Sequence, residues 1–163
     1  MRYVMRQKIF SFGDDFAIKD ETGADRFVVD GKVFTIGNKL ALLDTAGNEL
    51  AFIQQKLLSF APKYEIHRNG QLAAVVKKEL FTFFKCKFHV DVPGPDDLEA
   101  KGDFLDHEYG FFRGDRQVAA CSKRWFAWSD TYGIDVSPGE DDVLVLASSV
   151  VIDMVCHDEQ KRH

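Results

Sequence analysis

The chain of 163 residues lacks the closely spaced cysteines that mark a disulfide framework or a zinc site. It has three cysteines, Cys86, Cys121 and Cys156, and each stands far from the others among apolar neighbours. We therefore interpret them as three small buried thiols. The sequence predicts no bound metal and no cofactor.

Long hydrophobic segments are also missing. Residues 1–8 contain no apolar region of the kind that a secretory signal requires. The longest stretch without a charged residue, Val143–Ile152, has ten residues, whereas a membrane-spanning helix needs roughly 20. We expect a soluble, cytoplasmic protein without a transmembrane segment, so that any association with a membrane is peripheral.

Catalytic sequence motifs are absent as well. The chain has no G-x-S-x-G, no H-E-x-x-H, no P-loop and no dinucleotide-binding fingerprint. His67, His89 and His157 have no convincing Ser or Cys partner in the sequence. The sequence therefore favours a binding protein, and no motif in it argues for an enzyme.

Charge is unevenly distributed along the chain. The net charge is −5, and an acidic total disfavours a general nucleic-acid binder, which usually carries a basic field. Residues 54–92, however, contain seven basic and three acidic residues, whereas residues 93–163 contain seven basic and fifteen acidic residues. The basic middle segment can form a local patch that attracts anions.

What the chain does have is a hairpin unit that recurs at nearly constant spacing. Asp20 and Asp44, each three residues before a glycine, match at an offset of twenty-four residues. A third turn is Asn69-Gly70, a dipeptide typical of type I′ turns, which require positive φ at both central residues. Successive hairpins predict an antiparallel meander. The four predicted hairpins join 16–20 to 25–29, 40–44 to 49–53, 63–68 to 71–76, and 109–113 to 116–121.

Alternation of apolar and polar residues is clearest in residues 84–92. Phe88 and Val90 fall on one face, and Lys85 and Lys87 fall on the other, which indicates a strand with one buried face. Prolines then interrupt the chain. We expect residues 93–108 to form a long irregular connection between two halves of one barrel.

The C-terminal segment predicts a helix over residues 138–160. Ser137 and Glu140 fit a capping box with Pro138 at the first helical position. The segment is apolar nearly all the way round, so it must be buried on all sides. In a chain otherwise made of strands, this predicts a mostly β fold. We expect a single domain, residues 1–163, in which a closed antiparallel barrel of about twelve strands encloses the hydrophobic C-terminal helix.

The ordered hairpins and final helix resemble the LURP-one-related family of tubby C-terminal-like proteins, whose bacterial members are mostly uncharacterised. The resemblance extends from end to end and implies a twelve-stranded barrel around a central helix. It also implies a possible role in lipid binding, since tubby domains bind phosphoinositide headgroups through basic side chains on the barrel exterior. No tubby-type pair of basic residues is matched here, so the resemblance assigns no site residue. The strings that carry it are Met5-Arg-Gln-Lys-Ile-Phe10, Phe16-Ala-Ile-Lys-Asp20, Asn48-Glu-Leu-Ala-Phe-Ile53 and Lys63-Tyr-Glu-Ile66.

The candidate site for an anionic lipid is a set of basic residues that we expect to be exposed. If neighbouring strands bring them together, each basic group near an anionic bilayer contributes about 1 kcal/mol to docking. The alternative is a solvated sheet face whose lysines only prevent aggregation. The set consists of Lys77, Lys78, Lys85 and Lys87, and Lys123 and Arg124 are its further candidates.

A narrow polar stripe on the predicted helix includes Ser149 and Asp153. A carboxylate inside a barrel needs polar partners. Ser149 and Asp153 either line a small polar cavity that binds a ligand, or meet strand backbone, ordered water or a gap in the wall. The acidic residues around His107 either hold a divalent cation or form a solvated loop, and no known metal-binding spacing is present.

Three functional hypotheses remain open from the sequence. The first is a binding module that docks on anionic phospholipid headgroups or a membrane surface. The second is a protein-interaction or regulatory module that uses the acidic stretch Asp96–Glu108. The third is a carrier or enzyme with a cavity beside Asp153.

Overall fold

The computed structural model describes residues 1–6, 15–32, 39–80, 86–126 and 131–161. These residues form strands and one helix. The strands are β1 Arg2–Arg6, β2 Phe16–Asp20, β3 Asp25–Lys32, β4 Lys39–Asp44, β5 Glu49–Gln55, β6 Lys63–Arg68, β7 Gln71–Leu80, β8 Cys86–Asp91, β9 Leu98–Asp103, β10 Glu108–Arg113, β11 Arg116–Ser122 and β12 Thr131–Val136. The helix, α1, is Asp142–Lys161.

The strands form a closed antiparallel barrel in which each strand pairs with its neighbours in sequence. Closure is made by β1, which pairs with β2 on one side and with β12 on the other. The β1–β12 pairing runs from Arg2 opposite Asp135 to Arg6 opposite Thr131. The predicted fold, a closed antiparallel barrel of about twelve strands with a C-terminal helix, is confirmed.

The four predicted hairpins are present, and two of them share a carboxylate-stabilised turn. Asp20 accepts hydrogen bonds from the backbone N–H groups of Thr22 and Ala24, and Asp44 accepts from those of Ala46 and Asn48. Such turns explain why the aspartates recur at a fixed offset. The pKa values of both carboxyls are held below their usual range, through the Thr22 hydroxyl at Asp20 and the Asn48 side chain at Asp44.

The expectation of a long irregular connection at residues 93–108 is wrong. This segment contains β9, which pairs with β8 and β10 and completes the wall of the barrel. Only Leu98 and Ala100 of β9 are buried, and the rest of the strand is charged or glycine. Because only two apolar residues mark its inner face, the strand gives a weak period-two signal.

The helix lies inside the barrel, as predicted. Leu146, Ala147, Val150, Val151 and Ile152 are fully buried and belong to the same core as the inner faces of the strands. Its 20 residues span about 30 Å at 1.5 Å per residue. Among the residues described, no helix is both long enough and apolar enough to cross a membrane.

The helix begins four residues later than predicted, and its cap is Asp141, not Ser137. The Asp141 carboxylate accepts a hydrogen bond from the backbone N–H of Leu144 at 3.2 Å. Residues 137–140 form a turn, closed by a 3.2 Å hydrogen bond from the Glu140 N–H to the Ser137 carbonyl. Glu140 is not part of a capping box, because its carboxylate binds Arg113 and Arg116 on the strand side.

Alanine substitutions distinguish the observed cap from the predicted one. We expect Asp141→Ala to lower the free energy of unfolding by about 1 kcal/mol, the usual cost of losing an N-cap. Ser137→Ala should change it by less than about 0.5 kcal/mol. Urea denaturation of both variants measures the difference. If Ser137→Ala lowered the free energy of unfolding as much as Asp141→Ala or more, Ser137 would be the N-cap.

Candidate functional site

Three lysines converge on the outside of the barrel where the β5–β6 loop, residues 56–62, meets the wall. Lys63 on β6 stands directly opposite Lys77 on β7. Lys56 is held next to Lys63 by a 2.9 Å hydrogen bond from its backbone N–H to the Lys63 carbonyl. We call Lys56, Lys63 and Lys77 the lysine cluster. Lys63 and Lys77 belong to β6 and β7, and Lys56 directly follows β5.

Two carboxylates accompany the lysine cluster. The Lys56 Nζ lies 3.2 Å from Glu65, and the Lys77 Nζ lies 2.8 Å from Asp91. Within the described part of the chain, Lys63 has no carboxylate within 4.0 Å. The hydrogen bond and charge of Asp91 raise the pKa of Lys77, so this side chain stays protonated at neutral pH. The charges of Asp97 and Glu79 also act on Lys77, so Lys63 is the member of the cluster whose charge is least matched.

Lys87 shares the outer face of the barrel with Lys77, but its charge is matched by neighbouring carboxylates. It is 18% exposed and lies 3.2 Å from Glu99 and 4.0 Å from Glu79. Burial alone would raise the pKa of Glu99, but the hydrogen bond and charge of Lys87 hold that pKa below its usual value. Lys87 is therefore part of an ion-pair network that also contains His89 and Lys101.

Lys78 points into the barrel and is not part of the exposed basic set that the sequence predicted. It shares the inner face of β7 and β8 with the fully buried Phe88. Its side chain is 9% exposed and binds the carboxylate of Glu159, with 2.6 Å to Oε1. Since Glu159 belongs to α1, the pair ties the C-terminal part of the helix to the barrel wall.

The remaining basic candidates do not join the lysine cluster. Lys85 lies outside the described residues. Lys123 and Arg124 follow β11, four strands away from β7 around the barrel. There, Glu108 accepts a hydrogen bond from the Lys123 backbone N–H at 3.0 Å and lies 3.8 Å from the Arg124 Nε. Lys77 is thus the predicted residue that the structure places in the lysine cluster.

The second predicted site, around Asp153, is an interior polar cluster. His107 Nε2 lies 3.1 Å from Asp153 Oδ1, and the Tyr132 hydroxyl donates to Oδ2. The His107 ring stacks on Tyr132 with 4.2 Å between ring centroids. Burial raises the pKa of Tyr132, and the Asp153 charge raises it further, so the hydroxyl keeps its proton. Ser149 donates to the carbonyl of Val145 in its own helix.

The Asp153 cluster joins three elements of the fold. Asp153 lies on α1, Tyr132 on β12, and His107 in the β9–β10 turn with φ of 52°. Asp153 is 6% exposed and both of its oxygens have partners. The partners of Asp153 are the side chains of His107 and Tyr132, which the sequence did not indicate.

The acidic residues near His107 diverge in the structure. Asp103 accepts from the backbone N–H of Asp106, His107 points inward, and Glu108 accepts from Ser122. In the described ranges, no three His, Cys, Asp or Glu side chains come together in a way that could hold a metal ion.

Sequence reasoning missed the β5–β6 loop. Leu57, Leu58 and Phe60 are exposed there, and Leu58 and Phe60 are completely so. The signal in the sequence was a run of large apolar residues between two strands, with Lys56 and Lys63 at its ends. Connections between strands usually lie on the surface, and a group of exposed large apolar side chains there is a candidate binding surface.

Comparisons with known proteins agree with this architecture. The family model described as LURP-one-related matches residues 1–153. The uncharacterized protein YxjI of Bacillus subtilis is 35% identical over 156 residues, which cover 96% of this chain and 94% of that protein. The X-ray structure of a protein from Arabidopsis thaliana is similar with a TM-score of 0.66 and 20% identity, covering 96% of this chain and 91% of that one. The last likeness concerns the fold alone.

Proposed function

Because this chain belongs to the LURP-one-related family, we propose that it is a binding module, not an enzyme, and that it docks on anionic phospholipid headgroups. The observation that supports this proposal is the lysine cluster. The lysine cluster lies on the outer wall of the barrel, and the interior is filled by α1. Binding therefore takes place on the outside of the barrel.

The cluster contains a pair of like charges, because Lys63 stands directly opposite Lys77 on the neighbouring strand. Lys87 and Lys101 form a second such pair, but Glu79 and Glu99 match the charge of Lys87. Like charges directly opposite each other on neighbouring strands destabilise a sheet. A phosphate group placed between two such lysines would offset this repulsion and accept charge-assisted hydrogen bonds from both. The pair is thus better matched to a bound anion than to water alone.

The carboxylates near the cluster do not prevent anion binding. The side chains of Lys77 and Asp91 are 47% and 39% exposed, and an exposed ion pair contributes only about 0–1 kcal/mol to stability. An anionic membrane surface attracts each nearby lysine with about 1 kcal/mol. Lys77 can therefore exchange its weak surface partner for a lipid phosphate. Lys87 is less suited, because it is more buried and lies between two carboxylates.

We expect Lys63→Gln/Lys77→Gln to weaken binding to anionic vesicles roughly 30-fold, since it removes two groups worth about 1 kcal/mol each. Co-sedimentation with phosphatidylcholine vesicles, with and without phosphatidylglycerol, measures the affinity. The wild-type protein should bind only the anionic vesicles, and binding should weaken as salt is added.

The matched control is Lys19→Gln/Arg26→Gln, which changes the net charge equally at two solvent-accessible basic residues beside the β2–β3 turn, at the opposite end of the barrel. This control should retain most of the binding. The proposal fails if the wild-type protein does not bind anionic vesicles. It also fails if both double variants lose the same affinity, because the net charge and not the lysine cluster would then decide binding.

A further inference from the structure

The β5–β6 loop holds large apolar side chains away from the barrel. The relative exposures of Leu57, Leu58 and Phe60 are 52%, 104% and 114%. The base of the loop is fixed, because the Lys78 N–H donates to the Pro62 carbonyl at 3.1 Å. Near the tip, the Ser59 hydroxyl donates to the Ala61 carbonyl at 2.7 Å. The loop therefore projects from the wall and is hydrogen-bonded at its base and near its tip.

Within the described ranges, most of the exposed large apolar residues lie at the end of the barrel where α1 ends. The β5–β6 loop is at this end, since Lys78 beside its base binds Glu159 near the C-terminus of the helix. Leu105, 56% exposed, lies in the β9–β10 turn at the same end. Leu72, 45% exposed, and Met1, 52% exposed, lie at the opposite end, the first just after the β6–β7 turn and the second beside Val136. Among the described residues, four of the six exposed large apolar side chains therefore lie at the end where α1 ends.

The relative positions of apolar and basic side chains along the β5–β6 loop point to one kind of partner. The apolar side chains are outermost, and the lysine cluster lies behind them at the base of the loop. A bilayer has the complementary order, because its anionic headgroups cover its acyl chains and the long stems of lysines can bridge the two layers. A free phosphate would engage the lysines and leave Leu58 and Phe60 in water.

We infer that the β5–β6 loop inserts Leu57, Leu58 and Phe60 into the acyl-chain boundary of an anionic phospholipid bilayer, while the lysine cluster contacts the headgroups. The end of the barrel at which α1 ends then faces the membrane. This inference rests on the proposed function. It specifies that the phosphate groups bound by the lysine cluster belong to an intact bilayer.

Tryptophan fluorescence tests the insertion directly. We expect Phe60→Trp to show blue-shifted emission on anionic vesicles and to be quenched by phospholipids brominated on their acyl chains, after subtraction of the wild-type emission. Leu72→Trp is the matched control, an exposed apolar residue at the far end, and should show neither change. If Phe60→Trp co-sediments with the vesicles without a blue shift or quenching, the loop does not insert, although headgroup docking stands. If no protein co-sediments, the proposed function itself fails.

Removing the apolar side chains provides the second test. Leu58→Ser/Phe60→Ser should fold normally, since both side chains are completely exposed. Burial of a leucine or phenylalanine changes an equilibrium by about 10-fold or more, so we expect a loss of vesicle affinity of roughly 100-fold. Leu72→Ser should bind as the wild type does. If the loop instead mediates self-association, the double variant will convert an oligomer to a monomer in sedimentation without lipid, and the inference is overturned.

Discussion

Val150→Asp is expected to abolish the cooperative native state. Val150 is fully buried on α1 inside the barrel. A carboxylate placed there without partners costs several kcal/mol, and Asp153, one helical turn away on the same face, would add like-charge repulsion. This cost is comparable to the whole stability of a typical domain, about 5–15 kcal/mol. The variant should therefore be insoluble or a molten globule.

Circular dichroism and dye binding measure this outcome. A molten globule retains the far-ultraviolet signal, loses the near-ultraviolet signal and binds the dye ANS. Val150→Ala is the matched control, because it removes volume without adding charge, and it should stay folded at a cost of about 2–3 kcal/mol. Native thermal stability in Val150→Asp would contradict the placement of α1 at the centre of the barrel.

Asp153→Ala is expected to lower the free energy of unfolding by about 2–5 kcal/mol. The substitution leaves two buried groups, the Tyr132 hydroxyl and His107 Nε2, without their partner. Each unsatisfied buried polar group costs about 1–3 kcal/mol. Removing one member of a buried cluster is more costly than replacing the whole cluster by apolar residues, because the remaining members stay desolvated.

Chemical denaturation and thermal melting measure the effect of Asp153→Ala. For a chain of this length, each kcal/mol corresponds to about 2–4 °C in Tm. Gln160→Ala, an exposed position on the same helix, should change stability by less than about 0.5 kcal/mol. The loss of stability in Asp153→Asn should be smaller than in Asp153→Ala and larger than in Gln160→Ala, since the amide oxygen still accepts one hydrogen bond. If Asp153→Ala were as stable as Gln160→Ala, the polar cluster would contribute nothing to holding the helix.

Much of the fold follows from local patterns in the sequence. The hairpins could be predicted because carboxylate and Asn-Gly turns depend on a few neighbouring residues. The helix could be placed inside the barrel because its apolar residues cover its whole circumference. Strand β9 was missed, since only Leu98 and Ala100 mark its buried face. The helix start was misplaced because Ser137 and Asp141 both suit an N-cap, and only the path of the chain selects Asp141.

The candidate site was harder to predict from the sequence than the fold was. Lys77 and Lys78 are adjacent and equally basic, but they point to opposite faces of β7 because side chains alternate along a strand. The neighbour of Lys77 on the outer face, Lys63, depends on the register between β6 and β7. A shift of one residue in that register would exchange inner and outer side chains. The lysine cluster therefore had no signature in a single stretch of sequence.

The sequence alone determined that the chain forms consecutive antiparallel hairpins around a helix that must be enclosed. These properties arise from turn chemistry and from the period of apolar residues, both of which act over a few positions. Only the tertiary structure decided which polar groups meet. Lys78 and Glu159 are 81 residues apart, and His107 and Asp153 are 46 apart. Such pairs depend on barrel closure and strand register, which bring distant parts of the chain to one point.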